Sequence, residues 1–122
     1  MTFACSMKPG DPEADLGYLE HIRDAAETIA EHLRGSDESA FMRSRLLQDA
    51  VIRELQIVGE ATKRLSPSVR QGNPEVPWQD IAGMRDKLVH DYFGVDLAAV
   101  WLAATEDVPE LLNRVREILP RG

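Results

Sequence analysis

At 122 residues, 43% of them hydrophobic and 29% charged, the chain has the make-up of one globular domain able to bury roughly two thirds of its unfolded surface. A net charge of −7 argues against a broad basic face that coats nucleic acid, so an RNA ligand needs a few focused cations, while a basic protein partner suits the acidic surface equally well. A single cysteine, Cys5, excludes an internal disulfide and a cysteine-based zinc site. The absence of a long apolar run or signal-peptide pattern leads to the expectation of a cytoplasmic protein with no membrane partner.

Residues 1–14 hold two prolines, a glycine and no periodicity, and are expected to form a flexible leader to a single helical domain over 15–122. Leu16, Leu19, Ile22, Ala26, Ile29 and Leu33 recur at helical spacing, and Gly35 supplies a C-terminal stop. Ser36 or Asp37 then caps a short helical entry containing Phe41 and Met42. The longest helix is expected from about Arg43 to Leu65. Leu47, Val51, Leu55, Val58 and Leu65 form its stripe, and Leu46, Ala50, Ile57 and Ala61 widen it into a face for more than one neighbour. Gly59 within it points to close helix approach. Residues 66–77 carry Pro67, Gly72, Asn73-Pro74 and Pro77 and are expected as a loop. A further helix starts at Trp78 and ends near Asp91 to Phe93, before Gly94, with Asp96 as a new cap. The apolar series from Leu97 to Leu119 is expected as two helices broken at Pro109, with Asp107 capping the second. Nothing alternates at period two, so the fold class is all-α, a compact bundle of four to six helices.

The chemistry concentrates in Arg85-Asp86-Lys87-Leu88-Val89-His90-Asp91-Tyr92. On a helical projection Trp78, Ile81, Ala82, Met84, Leu88 and Val89 form one apolar stripe, with Arg85 near its middle. A guanidinium there needs a carboxylate, a phosphate or a partner subunit, since leaving it buried and unpaired costs several kcal/mol. His90 falls about 140° round the projection, four residues after Asp86 and beside it on the helix surface. Two readings stay open on these residues alone. In one, His90 exchanges protons near neutrality and Arg85 clamps a phosphate; RNA brings its own nucleophile, the 2′-hydroxyl, so the pair needs neither a metal nor a cofactor. In the other, His90 is a surface histidine beside an arginine that pairs with a carboxylate of another helix, and the spacing by itself favours this one. Glu60 is either that carboxylate or a solvated residue. Arg43, Arg45 and Arg53 are candidate RNA-contacting cations or members of a solvated face. His21 and His32 make no metal pair, and no glycine-rich phosphate loop or serine-nucleophile elbow is present.

The runs Asp49-Ala50-Val51-Ile52-Arg53, Ile57-Val58-Gly59-Glu60-Ala61 and Pro77-Trp78 accompany the stretch from Ile81 to Asp96. With Val100-Trp101 and Val108-Pro109-Glu110-Leu111, they resemble the HepT-like branch of the HEPN domains over residues 16 to 119. The resemblance implies an all-α, dimer-forming endoribonuclease that acts as the toxin of a toxin–antitoxin pair. It also implies an R-x4-H-x-Y motif, here Arg85, Asp86, His90 and Tyr92. The implied partners are an RNA substrate, a second copy of the chain in a dimer or larger assembly, and an MNT-type nucleotidyltransferase antitoxin that transfers AMP to Tyr92.

The residue chemistry agrees with that implication. His90 would serve as general base or acid, Arg85 as phosphate clamp, and Asp86 would hold the His90 ring. One helix sets Arg85 and His90 too far apart in angle for a shared target, so two copies across a two-fold axis would complete one cleft. An AMP on Tyr92 would add bulk and negative charge beside the clamp. A second function stays open: a non-catalytic helical subunit that docks a nucleotidyltransferase, which the acidic charge favours.

Overall fold

The structure, a computed structural model, describes residues 12–90 and 94–120, with the backbone alone for 85–90. Helix α1 (Pro12–Leu33) opens with a proline suited to the first turn and with Glu13 and Asp15 against the N-terminal dipole. Residues 12–14 of the expected leader are thus helical, and Ala14 is buried. Gly35, at φ 76°, ends α1 in the left-handed conformation, and the Ser36 N–H donates to the Leu33 carbonyl at 2.9 Å. Helix α2 (Glu38–Arg43) is capped by Asp37, whose Oδ1 accepts from the Ala40 N–H at 2.8 Å.

Ser44 breaks the chain between α2 and α3 (Arg45–Arg64), taking an extended conformation and capping α3 through its hydroxyl. The break is stabilised from inside. Buried Gln48 donates its Nε2 to the Phe41 carbonyl at 3.0 Å and the Met42 carbonyl at 3.1 Å, satisfying acceptors at the end of α2. At 20 residues, α3 is shorter than the 22-residue α1, contrary to the expectation that it would be the longest helix.

The segment 66–77, expected as a loop, contains helix α4 (Pro67–Gly72). Pro67 is pre-organised for the first helical position rather than a breaker there. Ser66 is held from across the fold: its N–H donates to Asp15 Oδ1 at 2.9 Å and its hydroxyl to Asp15 Oδ2 at 2.7 Å, both residues being buried. Helix α5 (Trp78–His90) follows, then α6 (Leu97–Leu102), whose first N–H groups donate to Asp96.

Pro109 does not split the last segment. A π-helical turn over Ala103–Asp107 joins α6 to α7 (Val108–Ile118) with helical dihedrals at both junctions. The Val108 N–H donates to the carbonyl of Ala103, five residues back. The wider turn gives the proline ring room where a regular turn would set it against the carbonyl four residues earlier. Asp107 makes no side-chain cap.

Taking α6 to α7 as one rod, the described residues form six helices and no strand, the all-α bundle that the periodicity implies. Two apolar clusters fill it. One joins Leu19 and Ile22 of α1, Val58, Ala61 and Leu65 around α3, Trp78 and Ile81 of α5, and Leu111 and Val115 of α7. The other joins Ala26, Ile29, Phe41, Val51, Leu55, Val100, Val108 and Leu112, with Trp101 packed on it 5.4 Å from the Phe41 ring centroid. Leu19 and Ile22 share the first cluster with Val58 and Ala61, and Ala26 and Ile29 share the second with Val51 and Leu55. Hence α1 runs antiparallel to α3, and the contacts of Ile81 and Met84 set α5 antiparallel to it as well. Among the described residues no helix is long and apolar enough to cross a membrane.

Candidate active site and the groove beside it

Helix α5 is fastened at its start. Trp78 is buried, its backbone N–H donates to the Val76 carbonyl at 2.8 Å, and its indole Nε1 donates to the Asn73 carbonyl at 2.9 Å. Ile81 is buried one turn later and Met84 packs on the second cluster. The helix continues unbroken to His90. By register, position 85 falls on the stripe of Trp78 and Ile81, while position 90 lies about 140° round and about 7.5 Å further along the axis. Position 86 is one helical turn before 90, on the same side. The side chains of Arg85, Asp86 and His90, and all of Tyr92, lie outside the described residues.

Beside α5, a cavity of about 130 Å³ lies between α3, α5 and the π turn, with Val58, Ile81, Met84 and Leu111 as its apolar wall and the exposed carboxylates Asp80 and Asp107 also lining it. Among the described residues no group of three or more His, Cys, Asp or Glu could hold a metal ion.

The three candidate arginines of the sequence part company. Arg43 donates to the Ser39 hydroxyl at 2.9 Å, and Arg45 pairs with Asp49 at 3.1 Å one turn along α3. Arg53 lines a concavity, a groove of about 470 Å³ between α1 and α3 that Tyr18, His21, Ile57, Glu60 and Arg64 also line. Glu60, weighed above as a counter-ion for Arg85 or a solvated residue, is half-exposed and accepts from Arg64 at 3.0 Å. The Arg64 guanidinium is held above its ordinary pKa, first by the hydrogen bond to Glu60 and then by Tyr18. Nothing in the residues alone brings Tyr18, His21 and Arg64 to one place. Their local signal is a three-residue step on α1 and the four-three-four spacing of Arg53, Ile57, Glu60 and Arg64 on α3.

A family profile described as "Ribonuclease HepT-like" matches residues 22–118, a span that includes the whole of α5. The chain belongs to the ribonuclease HepT-like family. Its relatives include "Putative RNase TTE0752" of Caldanaerobacter subterraneus subsp. tengcongensis, 42% identical over 104 residues that cover 85% of this chain and 93% of the relative. "Probable ribonuclease HepT" of Thermococcus cleftensis is 42% identical over 101 residues, 83% of this chain and 92% of that one. "Gamma-glutamylcyclotransferase and putative RNase MJ0434" of Methanocaldococcus jannaschii is 41% identical over 102 residues, 84% of this chain but only 46% of that longer relative. No solved structure matches the chain significantly. The HepT-like assignment agrees with the all-α architecture and places the Arg85–His90 motif inside the matched span.

Proposed function

We propose that this HepT-like chain is a metal-independent endoribonuclease, that it acts as the toxin of a toxin–antitoxin pair, and that Arg85 and His90 carry its chemistry. The observation that supports this most is the unbroken helix from an anchored Trp78 to His90, which carries both motif positions on one continuous element. In the proposed reaction the 2′-hydroxyl of a ribose gives its proton to His90 and attacks the adjacent phosphorus. The bond to the 5′-oxygen breaks, that oxygen takes a proton from an acid, and a cyclic phosphate end remains. Proton transfer of this kind contributes about 10²–10⁴-fold. Arg85 binds the non-bridging oxygens and offsets their growing charge. Asp86 holds the imidazole and favours its protonated form. Because positions 85 and 90 diverge on one helix, a homodimer supplies Arg85 from one protomer and His90 from its partner to each cleft.

The decisive variant is His90→Ala. It is expected to fold, to lose RNA cleavage, and to relieve growth arrest, while wild-type cleavage persists in EDTA. Cleavage and arrest by a folded His90→Ala protein would remove the catalytic assignment. The net charge of −7 favours the second reading, a non-catalytic subunit docking a nucleotidyltransferase, which a folded wild-type protein that binds the nucleotidyltransferase but cuts no RNA would select. Silencing is assigned to AMP transfer onto Tyr92 by an MNT-type antitoxin. Tyr92→Phe should keep its nuclease yet resist the antitoxin with ATP. Intact-protein mass spectrometry that finds no AMP on wild type after incubation with antitoxin and ATP would count against that assignment.

A further inference from the structure

The groove between α1 and α3 takes no part in the chemistry proposed for α5. Its composition is unlike the rest of an acidic molecule. Arg53, Ile57, Glu60 and Arg64 follow one another at four-, three- and four-residue steps along one strip of α3, and Tyr18 and His21 line the groove from α1. Two guanidiniums therefore meet a single carboxylate in a chain whose net charge is −7. Half-buried Ile57 and half-buried Tyr18 add apolar surface, with buried Ala61 beneath them. Glu60, at 3.0 Å, and Tyr18 both hold Arg64, but a guanidinium has five N–H donors, so these bonds leave others for a ligand.

We infer that this groove is a second RNA-binding site, which takes a single-stranded stretch with a base on the Tyr18 and Ile57 surface and phosphates on Arg53 and Arg64. The inference rests on the ribonuclease reading. The parts match the ligand: the face of any base stacks on an aromatic ring without sequence preference, and the guanidinium fork fits phosphate oxygens. His21 carries an N–H donor in either charge state. Arg53 and Arg64 stand eleven residues apart, about 16 Å along the helix, so they would contact different phosphates of one strand. Helix α3 carries this groove on one flank and α5 on another, so a strand held here lies against the helix on which the motif-bearing α5 packs.

Fluorescence anisotropy with a labelled oligouridylate and the full-length chain tests the inference. Arg53→Glu, at an exposed position, is expected to raise Kd about tenfold or more, and Tyr18→Leu about fivefold or more. Arg34→Glu makes the same charge change at the far end of α1 and should stay within about twofold of wild type. Equal losses in Arg53→Glu and Arg34→Glu would reduce the effect to overall charge and overturn the site. An Arg53→Glu protein that binds like wild type while wild type still cuts RNA would overturn the groove and leave the nuclease standing. A changed sedimentation coefficient in Arg53→Glu would make the strip, which continues through Ala50 to Leu46 at 82% exposure, a contact between copies instead and overturn the inference. If wild type neither binds nor cuts RNA, the ribonuclease reading and this site fall together.

Discussion

Asp15 shows how much one side chain decides here. Its two carboxylate oxygens accept the Ser66 N–H and hydroxyl in a buried setting, tying the first turn of α1 to the α3–α4 junction. Removing it leaves two buried donors without partners. Asp15→Ala is expected to destabilise the fold by about 1–3 kcal/mol, read as a lower urea midpoint, whereas an exposed acidic neighbour such as Glu20 changed to Ala should shift it by less than about 0.5 kcal/mol. Gln48 does comparable work at the α2–α3 elbow. Neither role is legible in the sequence. Asp15 finds its partner 51 residues away, and an isolated carboxylate or amide carries no local mark of such a bond. By contrast, the Asp37 and Asp96 caps and the Gly35 stop are legible, because each acts on backbone within three residues of itself.

At the level of helices, the long apolar stripes of α1, α3 and α5 translate directly into structure, since a stripe of that width has to be buried. Short elements do not. Helix α4 spans six residues with none fully buried, so no periodicity marks it, and Pro67 looks like punctuation. The last rod deceives for a different reason. Projected as a regular helix, the buried Val100, Ala103 and Ala104 lie about 80° from the mean of the buried Val108, Leu111, Leu112, Val115 and Leu119, which reads as two helices. The π turn holds one residue more than a regular turn and takes up about 100°, so all of these side chains are buried together. Deleting exposed Glu106 should therefore keep the packing stripe in phase but drive Pro109 into the ladder, at a cost of about 3 kcal/mol. Combining the deletion with Pro109→Ala should recover most of that loss. A thermal-melt cycle over the four proteins measures the coupling, and strictly additive effects would contradict the explanation.

Across the whole molecule, the candidate site is half legible. The spacing from Arg85 to His90 and its place on a helix follow from residues close in sequence, and α5 carries that helix as far as His90. The groove is not legible, because Tyr18 and Arg53 become neighbours only once α1 lies antiparallel on α3. That same packing sets the distribution of charge. Glu13, Asp15, Glu20, Asp24, Glu27 and Glu31 all belong to α1, and most of them are exposed or half-exposed, whereas on α3 the acids Asp49, Glu54 and Glu60 are outnumbered by Arg45, Arg53, Lys63 and Arg64.

Such an arrangement makes α1 an anionic fence along one edge of the protein. A polyanion drifting past is turned away by that edge at distances within the Debye length, about 8 Å in physiological salt, before it touches anything. Its approach is thereby narrowed to the guanidinium side, and a chain of negative overall charge can still receive a negative guest from one direction.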